Sequence, residues 1–283
     1  MAQVGKAAAA AGPAPAYNRA SQRAIGRAVQ LLDDGFRFSP SDLTAHLACP
    51  HLTTLSLRVA RGELRRPKLD SPHRELILRK GVEHERTYLA GLAGLGRTIV
   101  RIPTLEDEGF DPHAARALTE DAIRAGAAAV IYQPYLVSAD ERWRGFADFL
   151  ELRPDGGYEP VDTKLARRAK PAHLLQLLFY AEQVERLQGR PVEHVHVENG
   201  RGERESFRVD EYAPAYRRAR RRFLAAVDAA PDTYPWPTGH CGICDFRRLC
   251  RARLEGDDHP MLVAGMRRDH AEALQADGVR TLE

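Results

Sequence analysis

The sequence predicts an α/β fold with a helical prelude, a mixed sheet and helices packed against it. Three observations predict it. Apolar residues recur at helical spacing over 74–95 and 171–188. Between those segments the pattern switches to strand-like runs at Val130–Val137, Trp143–Leu152 and Tyr158–Lys164. Two further strand-like runs and a helix follow, an alternation that suits layered α/β architecture.

Composition sets the outer bounds. Apolar residues make up 43% and charged residues 29% of the 283, which excludes a wholly disordered chain and leaves material for a sizeable core. The formal charge of +3 is too mild to indicate nucleic acid by itself. No run approaches the ~18 to 20 apolar residues that a membrane helix needs. Lys6 and the alanines after it lack the Leu, Val or Ile of a signal peptide. Residues 1–16 therefore read as a disordered tail, and a cytoplasmic location with reduced thiols follows.

The elements follow in order. Residues 17–36 read as a short helix. Ser39-Pro40-Ser41-Asp42 starts another, which Cys49-Pro50 ends or kinks. Residues 74–95 form a stronger helix (Leu76, Ile77, Val82, Leu89, Leu92, Leu95), and 112–128 form an Ala-rich one. Pro154-Asp155-Gly156-Gly157 turns the second and third strands into a hairpin. Residues 171–188 are a helix, Val192–Val197 and Glu205–Val209 are strands, and 211–229 is a basic helix. Residues 17–256 then make one domain, with 257–283 beginning a separate element or linker.

Two acids stand out on the hairpin. Asp162 and Lys164 are two apart on a strand and share a face. If the strands pair across the 154–157 turn, Asp148 comes to the same sheet end as Asp162. Paired carboxylates suit Mg²⁺ or Mn²⁺, and a Lys beside them can orient an attacking water and stabilise phosphate charge. Exposed strand acids with a salt-bridged Lys would look the same in sequence.

The set of motifs narrows this. Gly81-x-x-His84, Gly145-x-x-Asp148, Asp162-x-Lys164 and Gln176-x-x-x-Tyr180 occur in that order on helix, strand, strand and helix. The chain thereby resembles the RecB-like branch of the PD-(D/E)XK nuclease superfamily, with its restriction-endonuclease-like core. The resemblance implies that His84, Asp148 and Asp162 bind a divalent metal, with Thr163 contributing its carbonyl. It implies that Lys164 positions the hydrolytic water, and that Gln176 and Tyr180 contact phosphate or brace Lys164. The reaction would be metal-assisted attack on a phosphodiester, on single-stranded DNA ends. The rival reading is a non-catalytic DNA-binding module of a larger DNA-processing protein.

The four cysteines are Cys49, Cys241, Cys244 and Cys250. Their spacing permits a Cys₄ zinc site or a four-iron cluster. A remote first Cys before the core and a trio after it resembles the iron–sulfur RecB-like nucleases, including the AddB-type helicase–nucleases and the CRISPR-associated RecB-like exonucleases. The resemblance implies a structural [4Fe–4S] cluster that staples the N-terminal helices to a C-terminal cysteine loop.

Arg217, Arg218 and Arg221, with Arg220 and Arg222, crowd the last long helix. They read either as a solvated face or as a surface that tracks single-stranded DNA. The tail resembles the opening of a helix-hairpin-helix element. In related RecB-like proteins a further nuclease or helicase domain follows this region, and a separate subunit could fill the same place.

Overall fold

The computed structural model describes residues 29–67 and 71–283. The expected tail 1–16 and residues 17–28 of the expected first helix lie outside the described residues. The rest of that helix is replaced by a hairpin, β1 (Gln30–Leu32) and β2 (Gly35–Arg37). Asp33-Asp34 makes the turn, and Gly35 just after it takes a φ of +125° that disfavours any other residue. Turn chemistry here overrides the apolar spacing that suggested a helix.

Helix α1 (Pro40–Ala48) begins at the predicted cap, where Asp42 accepts from the Ser39 amide and hydroxyl, both at 2.8 Å. It ends at Cys49, whose extended backbone (φ −161°) turns the chain directly into α2 (Pro50–Ala60). Helix α3 (Pro72–Gly94) is exposed along most of its length and buries only Leu92 fully. A short strand, β3 (Ile99–Arg101), precedes α4 (Pro112–Ala125), and β3 was not anticipated.

The next two predicted strands are each split. The first becomes β4 (Val130–Tyr132) and β5 (Tyr135–Val137), the second β6 (Arg144–Phe146) and β7 (Phe149–Leu152). Gln133 adopts a left-handed φ of +53°, and Pro134 has no N–H to give to a ladder. The breaks face each other: the Gln133 amide donates to the Asp148 carbonyl at 2.9 Å, and the Ala147 amide to the Pro134 carbonyl at 3.1 Å.

Strand β8 (Tyr158–Thr163), helix α5 (Pro171–Gln188), strands β9 (His194–Glu198) and β10 (Arg204–Arg208) and helix α6 (Val209–Ala229) complete the core. Six strands form one mixed sheet in the order β10-β9-β8-β7-β4-β3, with β3–β4 and β8–β9 parallel. Strands β5 and β6 pair separately.

Helices flank the sheet. Tyr88, Leu89 and Leu92 of α3 pack on Val130, Tyr132, Phe149 and Val161. On the other face Leu177, Ala181 and Val184 of α5 meet Leu150, Tyr158 and Val195. Helix α5 is buried on several sides because α1 and α6 cover it in turn. Phe223 of α6 packs edge-on to Phe38 at 4.9 Å and lies 5.1 Å from Trp143. These fully buried rings tie the outer helices to the sheet layer.

After α6 the chain passes through a 3₁₀ turn at Gly239–Ile243 to α7 (Arg247–Gly256) and α8 (Arg268–Ala276). Phe246, fully buried, plugs against Leu52 and Leu55 of α2. Beside it, Asp245 receives Arg66 at 3.5 Å and Arg74 at 2.5 Å. Arg74 lies in the first turn of α3, so this loop holds the start of that helix. In the tail, His259 is buried against Tyr234 and Trp236, and the Leu282 and Glu283 amides donate to Asp258.

Candidate active site

The register Phe149↔Val161 brings Asp148 and Asp162 to one end of the β7–β8 pair. Asp148 sits in the break before β7, and its Oδ2 accepts from the Thr163 amide at 2.8 Å and hydroxyl at 3.0 Å. Lys164 Nζ lies 2.5 Å from Asp162 Oδ1 and 3.9 Å from Asp148 Oδ2. The other oxygen of Asp162, Oδ2, is buried and receives no hydrogen bond from any donor among the described residues.

A third carboxylate enters from α3. Gln133 Nε2 donates to Glu85 Oε1 at 3.0 Å, and the Glu85 charge acts on both Asp148 and Lys164. Sequence reasoning passed over Glu85 in favour of its neighbour. The signal that could have found it is the Gln133-Pro134 step, whose strand break aims an amide at this carboxylate.

Three acids sharing one ammonium shapes their ionisation. Burial, and then the Asp148 charge, push Glu85 up to about 7. The same two causes raise Asp162 well above the ordinary carboxylate range. Burial also opposes the charge on Asp148, but the Lys164 charge, then a bond shared with Asp162 and the Thr163 bonds, outweigh it and hold this carboxyl below its usual value. Burial works against the Lys164 charge too, yet Asp162 and Asp148 more than reverse it. Lys164 is thus a firm ammonium, suited to donating a hydrogen bond rather than to accepting a proton.

The other expected site residues fall in different places. His84 Nε2 lies 3.3 Å from the carbonyl of Glu198, which is the strand partner of Thr163. That carbonyl also accepts from the Lys164 amide at 2.9 Å, so His84 and the lysine share a backbone partner at this end of the sheet. Among the described residues, no three His, Cys, Asp or Glu side chains are gathered closely enough to hold a single ion as they stand. Gln176 Nε2 donates to Ser41 Oγ at 3.3 Å, toward α1. Tyr180 is buried, and its hydroxyl donates to the Phe146 carbonyl at 2.7 Å, two residues before Asp148. A Cβ on Gly145 would meet that hydroxyl at 3.0 Å and Pro40 Cδ at 3.1 Å, which accounts for the glycine three positions before Asp148.

The four cysteines line one cavity of about 630 Å³ with His51, Trp236 and Arg247. They are not drawn into a tight cluster, and none is in a disulfide. Burial, then the Cys244, Cys49 and Cys241 sulfurs, push the Cys250 thiol up to about 11. Arg217, Arg218 and Arg221 are exposed on α6, which packs on α5, α1, α2 and β10 through Tyr216, Ala219 and Phe223.

Residues 57–251 match the profile of the PD-(D/E)XK nuclease superfamily. The chain belongs to that superfamily. Membership points to phosphodiester hydrolysis with nucleic acid as the substrate class, and PD-(D/E)XK nucleases typically use divalent metal ions. The mixed six-stranded sheet between helices is the restriction-endonuclease-like core expected of such a nuclease. No curated protein matches the chain. One similar solved structure, described as the crystal structure of SSO0001, is 15% identical with a TM-score of 0.33, covering 77% of this chain and 87% of that one. No helix among the described residues is long and apolar enough to cross a membrane.

Proposed function

We propose that this PD-(D/E)XK protein is a divalent-metal-dependent deoxyribonuclease of the RecB-like branch, acting on single-stranded DNA ends. The observation that carries the reading is the buried, unpartnered Asp162 Oδ2 beside Asp148 and Glu85. A buried carboxylate oxygen without a partner is costly, and an all-oxygen donor set whose crowded carboxyls would shed protons to a bound ion fits a hard cation.

Asp148, Asp162 and Glu85 would hold Mg²⁺ or Mn²⁺, with His84 and Thr163 at the margin. The bound ion supplies charge that activates water and neutralises the phosphate. Thr163 fixes one Asp148 oxygen and leaves the other to bind. Lys164 donates to the attacking water or to a phosphate oxygen, orienting it at the strand end. Gln133 keeps Glu85 facing the aspartates.

The test is cleavage of end-labelled single- and double-stranded DNA with Mg²⁺ or Mn²⁺, and with chelator. Metal-dependent release of short products from single-stranded ends supports the reading. Binding without cleavage under every metal condition overturns it in favour of a DNA-binding module.

The cysteine cavity supports a second assignment, a structural [4Fe–4S] cluster held by Cys49, Cys241, Cys244 and Cys250. A four-iron cluster is wider than one ion, and four cysteines that line one common cavity support it. Raised thiols such as Cys250 would lose their protons on binding. Visible absorbance with iron and sulfide assays on anaerobically purified protein decides it, since a zinc protein would be colourless and hold neither.

A further inference from the structure

The loop that follows Lys164 reads Leu165-Ala166-Arg167-Arg168-Ala169-Lys170, and Arg167, Arg168 and Lys170 are all exposed. None has an ion-pair partner among the described residues, although much of the arginine elsewhere in the protein is paired. A run of free cations in one short loop repels itself unless an anion is its partner.

The loop is nevertheless fastened. Gly200 N donates to the Ala166 carbonyl at 3.0 Å, and Ala169 N donates to Glu205 Oε1 at 2.9 Å. Asn199, only 1% exposed, donates through Nδ2 to the Arg167 carbonyl at 3.2 Å. Its Oδ1 accepts from the Arg201 and Glu203 amides at 2.9 and 3.2 Å, so one buried side chain shapes the turn and grips the loop. The two segments also touch closely: a Cβ on Gly200 would lie 2.4 Å from the Leu165 carbonyl oxygen. The turn adds another exposed and unpaired cation, Arg201.

We propose that loop 164–170 and turn 199–203 form the cradle that grips the substrate's phosphate backbone next to the scissile bond. The proposal rests on the nuclease reading and names the surface through which that site takes its substrate. Arg168 is at most ~14 Å along the chain from Lys164. That reach keeps Arg168 close to the phosphates that flank the scissile bond. Holding the loop backbone in place before binding lowers the entropy lost when a flexible strand is captured. Helix α6 is less well placed, because its arginines sit on the layer beyond α5 and not on the segment that leaves the acids.

The experiment measures binding of fluorescently labelled single strands, DNA and RNA, by anisotropy over a salt series, with Ca²⁺ replacing the catalytic ion. Variants are Arg167→Ala/Arg168→Ala, Arg167→Lys/Arg168→Lys and Arg218→Ala/Arg221→Ala. The alanine pair in the loop should lose at least about tenfold in affinity at moderate salt. It should flatten the log–log salt slope by roughly 1.5, for two lost phosphate contacts. The lysine pair should keep most of that slope, the α6 pair should bind like the parent, and melting temperatures should not move. A loop variant with the parent's affinity and slope overturns the cradle, as does loss confined to the α6 variant. A parent protein that binds neither strand overturns the nuclease reading itself.

Discussion

Thr163 holds one carboxylate oxygen of Asp148 with both its amide and its hydroxyl, at 2.8 and 3.0 Å, across the break between two strands. This pair fixes the site's geometry, because Thr163 ends β8 with Asp162 before it and Lys164 after it. Asp148→Asn and Asp162→Asn should each reduce cleavage by at least about a hundredfold while circular dichroism stays native. Activity within tenfold of the parent in either variant would remove that residue from the chemistry.

Tyr180 acts from below the site. Its hydroxyl satisfies the Phe146 carbonyl in a buried position next to Gly145. Tyr180→Phe should lose about 1–2 kcal/mol in urea unfolding, since the carbonyl is left unpaired. Cleavage should fall only severalfold. An unchanged unfolding midpoint would show that the bond carries no weight.

The two strand breaks explain how much of this was legible. The order of motifs and the hairpin were readable, because alternation, a Pro-Asp-Gly-Gly turn and helical spacing are local signals. The Asp148–Asp162 juxtaposition followed from them. Glu85 was not readable, since its role depends on Gln133 reaching it from a distant strand. His84 was chosen by motif, and α3 sets it against the Glu198 carbonyl that the Lys164 amide also reaches. The first hairpin was missed because Leu31 and Leu32, both exposed, mimic the face of a helix. Gly81 has open space around it, and nothing in the structure explains why a glycine stands there.

Acid should weaken the fold through Glu159. Burial alone would raise this carboxyl, but the bonds from His196, the His194 amide and Arg153 bring it down to about 2, against an ordinary 4.5. Between those values the unfolded chain binds more protons than the folded one, so stability falls as pH drops from about 4.5 toward 2. The loss is on the order of 3 kcal/mol. Glu159→Gln should flatten the unfolding free energy over that window, and a parent-like slope would refute the assignment.

Asp245 fastens the first turn of α3 through Arg74, whereas Tyr88, Leu89 and Leu92 hold its last turns by packing. Asp245→Ala should speed amide exchange over residues 76–83 by about tenfold and leave residues 88–94 protected. Uniform protection along α3 would show that packing alone holds the helix.

The crowding of Glu85, Asp148 and Asp162 around a single ammonium also bears on how this protein can change. A site that repels itself subtracts from the resilience of the whole domain, and cutting requires that it do so. Selection for heat tolerance alone would therefore converge on these positions, where neutral side chains relieve the repulsion. The survivors would be hardier and inert. An excess of divalent ion should give the unaltered protein the same hardiness reversibly, by occupying the place where the charges meet.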